Sequence, residues 1–355
     1  MILDRLAVPI VLAPLAGGPA TPELAAGVSN AGGLGFLAAG YLSTAALGDQ
    51  VDRAKALTSA PLGVNLFVPG SAAPAGAVAD YAVALAAAAG RAGVELGEPR
   101  FHDDEWPGKM AQLMADPVPV VSFTFGCPDP AVIRAVQAVG SEAWVTVTTP
   151  ADARQAAAAG AEVLVVQGSE AGGHRSSFTD DPADDVSEEF GLLSLIQLVR
   201  SHTSLPLVAA GGIGTGAGVA AVLSAGASAA QLGTAFLRCP EAGTSAVQRA
   251  AVASATPTAM TRAFTGRLAR GVRNRFMTEH EHEAPAAYPE VHYLTGPLRA
   301  AGRAAGNPDL VNLWAGQTHQ LARELPAGQL VATLAAEARA ALAAASARVS
   351  RPDAG

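Results

Sequence analysis

The sequence predicts an α/β fold, a TIM-type (β/α)8 barrel carrying an inserted smaller, mostly helical lobe. Two observations predict it. Short apolar runs ending in glycine or polar residues alternate with alanine-rich stretches of helical length, the pattern of repeated βα units around a parallel sheet. Eight such runs can be counted, and eight parallel strands close a barrel. At 355 residues the chain is long enough for one barrel with an addition.

The strands are expected at 9–13, 34–39, 62–67, 118–125, 143–148, 163–167, 207–210 and 230–233. Between them, helix signals recur. Thr21 followed by Pro22 is an N-cap with proline at the first helical position, and that helix stops at Gly32-Gly33. Thr149-Pro150 repeats the opening before 151–159, which stops at Gly160; the stretch 216–225 stops at Gly226. The alanine tracts 83–89 and 335–345 read as helix, since alanine is the best helix former. Two stretches exceed a minimal barrel. One is 93–108, within the third crossover. The other is 241–312, where Pro257, Pro285, Pro289 and Pro297 argue against a simple helix. The expected organisation is therefore a barrel over 1–240, a lobe covering its mouth over 241–312, and a segment 313–355, broken at Pro326, that supplies the last barrel helix.

Half the residues are hydrophobic, 15% are charged and the mean hydropathy is +0.28, values that belong to a large buried core. A net charge of -8 gives no electrostatic footprint for nucleic acid. Cys127 and Cys239 form neither a disulfide framework nor a metal spacing, so no metal and a reducing, cytoplasmic compartment are expected. The apolar start at 6–16 is interrupted by Pro9 and Pro14 and is too short to span a bilayer, so no membrane partner is expected.

The chemistry is expected at the C-terminal ends of the strands. Strands seven and eight end in Ala210-Gly211-Gly212-Ile213 and Gln231-Leu232-Gly233-Thr234. Glycines there let backbone N–H groups approach a phosphate at a helix N-terminus, whereas one such turn alone would be a tight bend. A dinucleotide fingerprint is excluded: Ala217 stands at the third glycine of the G-x-G-x-x-G spacing from Gly212, and no acidic residue follows before Glu241. P-loop, serine-hydrolase and zincin motifs are absent from the sequence. Strand six runs into Gln167-Gly168-Ser169-Glu170-Ala171-Gly172-Gly173-His174, which offers an amide for a heterocycle, glycines for close approach, and His174 as a candidate base.

These residues resemble the nitronate monooxygenase family. The likeness begins with Ala13-Pro14-Leu15-Ala16-Gly17-Gly18 and Ser29-Asn30-Ala31-Gly32-Gly33. It continues through Gly63-Val64-Asn65-Leu66, the strand-six loop, both glycine turns, 267–276 and Leu313-Trp314-Ala315-Gly316-Gln317. The resemblance implies FMN as cofactor. Ala13, Pro14, Leu15, Gly17 and Gly18 would line its isoalloxazine ring, Asn65 and Gln167 would bond its polar edge, and Gly172 would pack close. Gly211, Gly212, Gln231, Leu232, Gly233 and Thr234 would hold its phosphate. It also implies that a small-molecule nitronate reduces the flavin and that O2 then reacts, giving a carbonyl compound and nitrite.

The chain departs from the family at two histidines. The fifth strand, from Trp144 to Thr149, has none, and Thr124 stands where related sequences often show histidine. His174 is then the one well-placed base, and anionic nitronates are expected to react better than neutral nitroalkanes. Arg262, Arg267, Arg270, Arg273 and Arg275 crowd one stretch of the lobe and read either as structural ion pairs or as a lure for an anion. Two rival functions remain: an NAD(P)H-dependent flavin reductase on the same scaffold, and a flavin- or phosphate-binding module without turnover. Alanine-rich outer helices would suit a homodimer.

Overall fold

The computed structural model describes residues 1–74, 76–180 and 189–350. Eight strands build the barrel: β1 (Ile10–Leu12), β2 (Gly35–Ala38), β3 (Leu62–Phe67), β4 (Val120–Thr124), β5 (Glu142–Val147), β6 (Val163–Gln167), β8 (Leu207–Ala210) and β9 (Ala229–Leu232). They pair in parallel in the order β1-β9-β8-β6-β5-β4-β3-β2. A parallel bridge between Val11 and Leu34 brings the two ends of that order together. The expected barrel is present, with each strand near its expected place.

Successive side chains alternate between faces of a strand. Val11, Leu34, Phe36, Val120, Trp144, Val163, Val165 and Val208 therefore point inward and cluster, with Ile2 among them. The rings of Phe36 and Trp144 lie 5.7 Å apart. Gly63 makes room for them, since a Cβ there would come within 2.4 Å of the Phe36 ring. Two residues further along their strands the inward positions turn polar: Asn65, Ser122, Thr146, Gln167 and Gln231. The barrel thus has an apolar fill beneath a polar floor at the C-terminal end.

The outer helices start as their sequences dictate. The Thr21 side chain accepts from Leu24 N at 3.0 Å and opens Pro22–Asn30. Thr149 and Asp152 form a reciprocal capping box on Pro150–Ala159, worth about 1 kcal/mol. The helix Ala327–Val349 follows Pro326 and packs on Gly216–Ser224 and Pro22–Asn30. Length and composition alone would let it cross a membrane, but Leu330, Val331, Leu334 and Ala338 are buried against the barrel. Gly216 allows the approach: a Cβ there would meet Glu337 Cβ at 2.3 Å. Residues 351–355 of the expected closing segment lie outside the described residues.

The lobe is mostly helical and also holds a sheet that the sequence reading did not anticipate. Strands β10 (Thr258–Thr261) and β11 (Ala269–Val272) pair antiparallel, and β11 also pairs with β7 (Gly173–His174) from the loop after β6. The lobe core joins Phe264, Phe276, Val291 and Leu298 to Tyr81 and Leu85 of the helix Ala79–Ala92. The third crossover thus contributes to the lobe.

Candidate active site

A cavity of about 540 Å³ opens over the polar floor, between the strand ends and the lobe. Of the residues expected to line it, Ala13, Pro14, Leu15, Gly17, Asn65, Gln167, Gly172, His174, Gly211, Gly212, Gln231, Leu232, Gly233 and Thr234 all do. Gly18 does not. Its backbone carbonyl instead abuts Gly243, where a Cβ would come within 2.3 Å of Gly18 O.

At one end of the cavity lie the turns after β8 and β9. Gly211 and Gly212 have φ of 122° and 64°, conformations that L side chains rarely adopt. The helix Gly216–Ser224 begins just beyond, capped by the Thr215 side chain. The segment Ala315–Gly316 closes over this end. Gly316 N donates to Thr234 Oγ1 at 3.0 Å and Gln317 N to Glu170 O at 3.0 Å. Gly172 lies so close beneath that a Cβ would fall 2.4 Å from Gly316 N.

On the floor, Asn65 is buried and its Nδ2 donates to Ser122 Oγ and Thr124 Oγ1, both at 2.9 Å. Gln167 is engaged at both ends of its amide, donating to His174 O at 3.1 Å and accepting from Ser176 N at 2.9 Å. It lines the cavity, but its visible work is to shape the loop that carries His174. Gln231 differs. Its Oε1 is buried without a hydrogen-bond partner, which costs roughly 1–3 kcal/mol unless a ligand supplies a donor.

His174 comes from β7 and so is held by the lobe sheet. Its Nε2 lies 2.9 Å from Thr265 Oγ1, and its ring is surrounded by Phe125, Tyr288 and Trp314 at 5.5 to 5.6 Å. Burial, reinforced by Arg267 and Arg299, pushes its pKa down to about 3. The imidazole is therefore neutral at neutral pH.

Sequence reasoning missed further lining residues, Tyr41, Phe67, Phe125, His292, Arg299 and Arg303. Arg299 is buried, bonded to Thr295 Oγ1 and to the His292 carbonyl, and desolvation lowers its pKa to about 10. Among the described residues no carboxylate pairs with it, and no described Asp or Glu lines the cavity. The arginines singled out in the sequence mostly do structural work. Arg262 pairs with Asp180 at 2.6 Å, Arg267 donates to Arg175 O and Arg270 to Ser169 O, while Arg273 and Arg275 are exposed. Arg267 also sits 4.2 Å over the Phe125 ring.

A barrel with glycine turns after its seventh and eighth strands, and a cavity lined by arginines over its strand ends, is the framework of a TIM-barrel enzyme. The family described as nitronate monooxygenase matches residues 2–337. A nitronate monooxygenase of Pseudomonas aeruginosa is 42% identical over 93% of this chain and 96% of its own length. Among solved structures, a nitroalkane oxidase from Streptomyces ansochromogenes superposes with a TM-score of 0.95 at 50% identity, covering 97% of this chain and 99% of that one. FabK from Thermotoga maritima shares the fold, with a TM-score of 0.76 at 24% identity over 98% and 97% of the two chains. The chain belongs to the nitronate monooxygenase family and is a flavin-dependent oxidoreductase.

Its residues fit a flavin. The glycine turns leave backbone room for a phosphate, Gln231 Oε1 lacks a donor, and residues 13–17 line the cavity with uncharged side chains where a ring would lie.

Proposed function

We propose that the protein binds FMN and oxidises alkyl nitronates with O2 to a carbonyl compound and nitrite. The observation that carries this reading is the charge of the cavity. In a chain of net charge -8, Arg299 and Arg303 line it and no described carboxylate does. Such a site attracts anions, and it concentrates on them the favourable electrostatics of a desolvated guanidinium.

The chain's residues divide the work. Gly211, Gly212, Leu232, Gly233 and Thr234 hold the phosphate, Ala13, Pro14, Leu15 and Gly17 flank the ring, and Asn65 faces its polar edge. Gln231, expected at the phosphate, is assigned to that edge instead, in place of Gln167, whose amide is engaged within its own loop. A bound flavin supplies the electron acceptor and the site of reaction with O2. Arg299 holds the nitronate's negative charge, and the aromatic enclosure around His174 excludes water. His174 is fixed by Thr265 and orients the nitronate through a neutral imidazole.

A neutral nitroalkane needs a base to remove its α-proton. An imidazole whose conjugate acid ionises near 3 is a weak one, which favours substrates that arrive already ionised. Oxidation of neutral nitroalkanes is the second reading, favoured by the 50% identity to a nitroalkane oxidase. We also place the protein in the cytoplasm as a homodimer, on its free cysteines and alanine-rich outer helices.

The test is stoichiometric. The FMN-loaded protein supplied with ethyl nitronate should release nitrite as O2 is consumed, at a rate well above that with nitroethane. No nitrite from either compound would overturn the proposal.

A further inference from the structure

Four described residues other than glycine have positive φ: Tyr41 at 68°, Asp104 at 59°, Glu105 at 55° and Phe125 at 75°. Each such residue is strained, and such strain persists where the surroundings enforce it. All four belong to one wall of the cavity or to its support. Tyr41 and Phe125 line the cavity, and Phe67 touches both rings, at 5.5 and 4.5 Å. Asp104 and Glu105 lie behind, in the stretch preceding the helix Trp106–Ala115.

The enforcement is an ion pair. Lys109 is 1% exposed and its Nζ lies 2.7 Å from Asp104 Oδ2. The same ammonium donates to Ala39 O at 2.9 Å, while Asp104 Oδ1 accepts from Tyr41 N at 2.9 Å. The pair thus grips the backbone on both sides of Gly40. Glu105 bolts the two segments together a second time by accepting from Thr44 N and Thr44 Oγ1 at 2.7 and 2.8 Å. Gly40 itself admits no side chain, because a Cβ would lie 2.3 Å from the Phe67 ring.

Held this way, the Tyr41 ring lies flat on His292, with centroids 4.2 Å apart and planes 1° apart. Its hydroxyl accepts from Tyr288 OH at 3.1 Å, and Tyr288 packs on the His174 ring. Tyr41 therefore stands at the side of the cavity that faces the proposed substrate, with no slack in backbone or ring.

We propose that Tyr41 is the residue that limits the alkyl chain length of the substrate, and that the buried Asp104–Lys109 pair is a positioning device that fixes it. Short-chain anions fit beside the ring. Longer chains meet it, and it has nowhere to move. This rests on the nitronate reading for the identity of the substrate, but the wall acts on any anion with an alkyl tail.

Straight-chain carboxylates resemble nitronates in charge and shape and do not react, so they separate the two claims. The experiment is calorimetric titration of the FMN-loaded protein with propionate and with octanoate, in parallel with turnover of ethyl and hexyl nitronate. Five proteins are compared: wild type, Tyr41→Ala, Tyr41→Phe, and two doubles that remove the buried charges together, Asp104→Ala with Lys109→Met and Asp104→Asn with Lys109→Met. Tyr41→Ala should raise octanoate affinity relative to propionate by about tenfold, the range expected when an apolar pocket gains or loses a wall. Tyr41→Phe should keep the wild-type ratio.

The alanine double loses the acceptor for Tyr41 N and should shift the ratio in the same direction as Tyr41→Ala. The asparagine double keeps the acceptor and should restore the wild-type ratio, which a merely structural role for the pair would not produce. An unchanged ratio in Tyr41→Ala overturns the role of Tyr41, and equal ratios in the two doubles overturn the positioning role of the pair. Absence of nitronate turnover in wild type, with the carboxylate ratios behaving as described, would overturn the nitronate reading and leave this inference standing.

Discussion

His174 and Thr265 join the barrel to the lobe: the imidazole Nε2 of a residue from the loop after β6 lies 2.9 Å from the hydroxyl of a residue 91 positions later. Beside it, β7 and β11 pair in register, with Ala269 opposite His174. The lobe thus sets the position of the imidazole.

That setting separates two roles for His174. Replacement by alanine should lower turnover of ethyl nitronate by less than about tenfold. If the imidazole also serves as base, the residual activity on nitroethane should fall by roughly a hundredfold or more, the usual worth of a general base. Nitrite release from each compound measures both. Equal activity of variant and wild type on both compounds would remove His174 from the mechanism.

Arg299 should govern binding rather than chemistry. Arg299→Met removes the cation but keeps much of the stem's volume. We expect KM for ethyl nitronate to rise by about tenfold or more with kcat within about twofold, the signature of lost uniform binding. A fall in kcat at unchanged KM would contradict the anion-holding role.

Stability should fall with acid because of two half-buried imidazoles whose desolvation lowers their pKa. His174 has its pKa pushed down to about 3, and His292 is pushed well below its ordinary value by burial and Arg299. A histidine that stays neutral when folded takes up a proton only on unfolding. Its contribution is full above the ordinary value of about 6.5 and is lost as pH drops through the window toward 3. Each such histidine adds a slope of about 1.4 kcal/mol per pH unit across its window. Urea midpoints between pH 7 and pH 4 should therefore decline, and His174→Phe should flatten the decline.

Gly172→Ala should weaken cofactor retention more than it weakens the fold. The new methyl group would fall 2.4 Å from Gly316 N, at the segment that closes the cavity over Thr234. The flavin-to-protein absorbance ratio after gel filtration should drop several-fold, while the thermal transition of the flavin-free protein moves little.

The barrel was legible because its signals are local: apolar runs of strand length, N-caps such as Thr21 and Thr149, and glycine stops at 160 and 226. The cavity's glycine turns were legible for the same reason. Gly18 was not separable from Gly17, because two adjacent glycines with positive φ look alike in sequence although only one reaches the cavity. The lobe sheet was illegible, since β10 and β11 are four residues each and the β11–β7 pairing joins residues more than ninety positions apart. Tyr41 and Phe125 were missed because no glycine or asparagine marked their left-handed backbones. Lys109 gave no sign of burial either. Its partner Asp104 sits in a stretch that reads as exposed and charged, Asp103-Asp104-Glu105, and only the fold shows that one of the three turns inward to meet the ammonium.

The most direct test of the flavin–nitronate assignment is anaerobic spectroscopy of the FMN-loaded protein, with ethyl nitronate in one cuvette and NADH or NADPH in another. The assignment requires the flavin absorbance to change promptly with the nitronate and not with the nucleotide. Bleaching by NAD(P)H and none by nitronate would contradict it and make the protein a reductase on the same barrel.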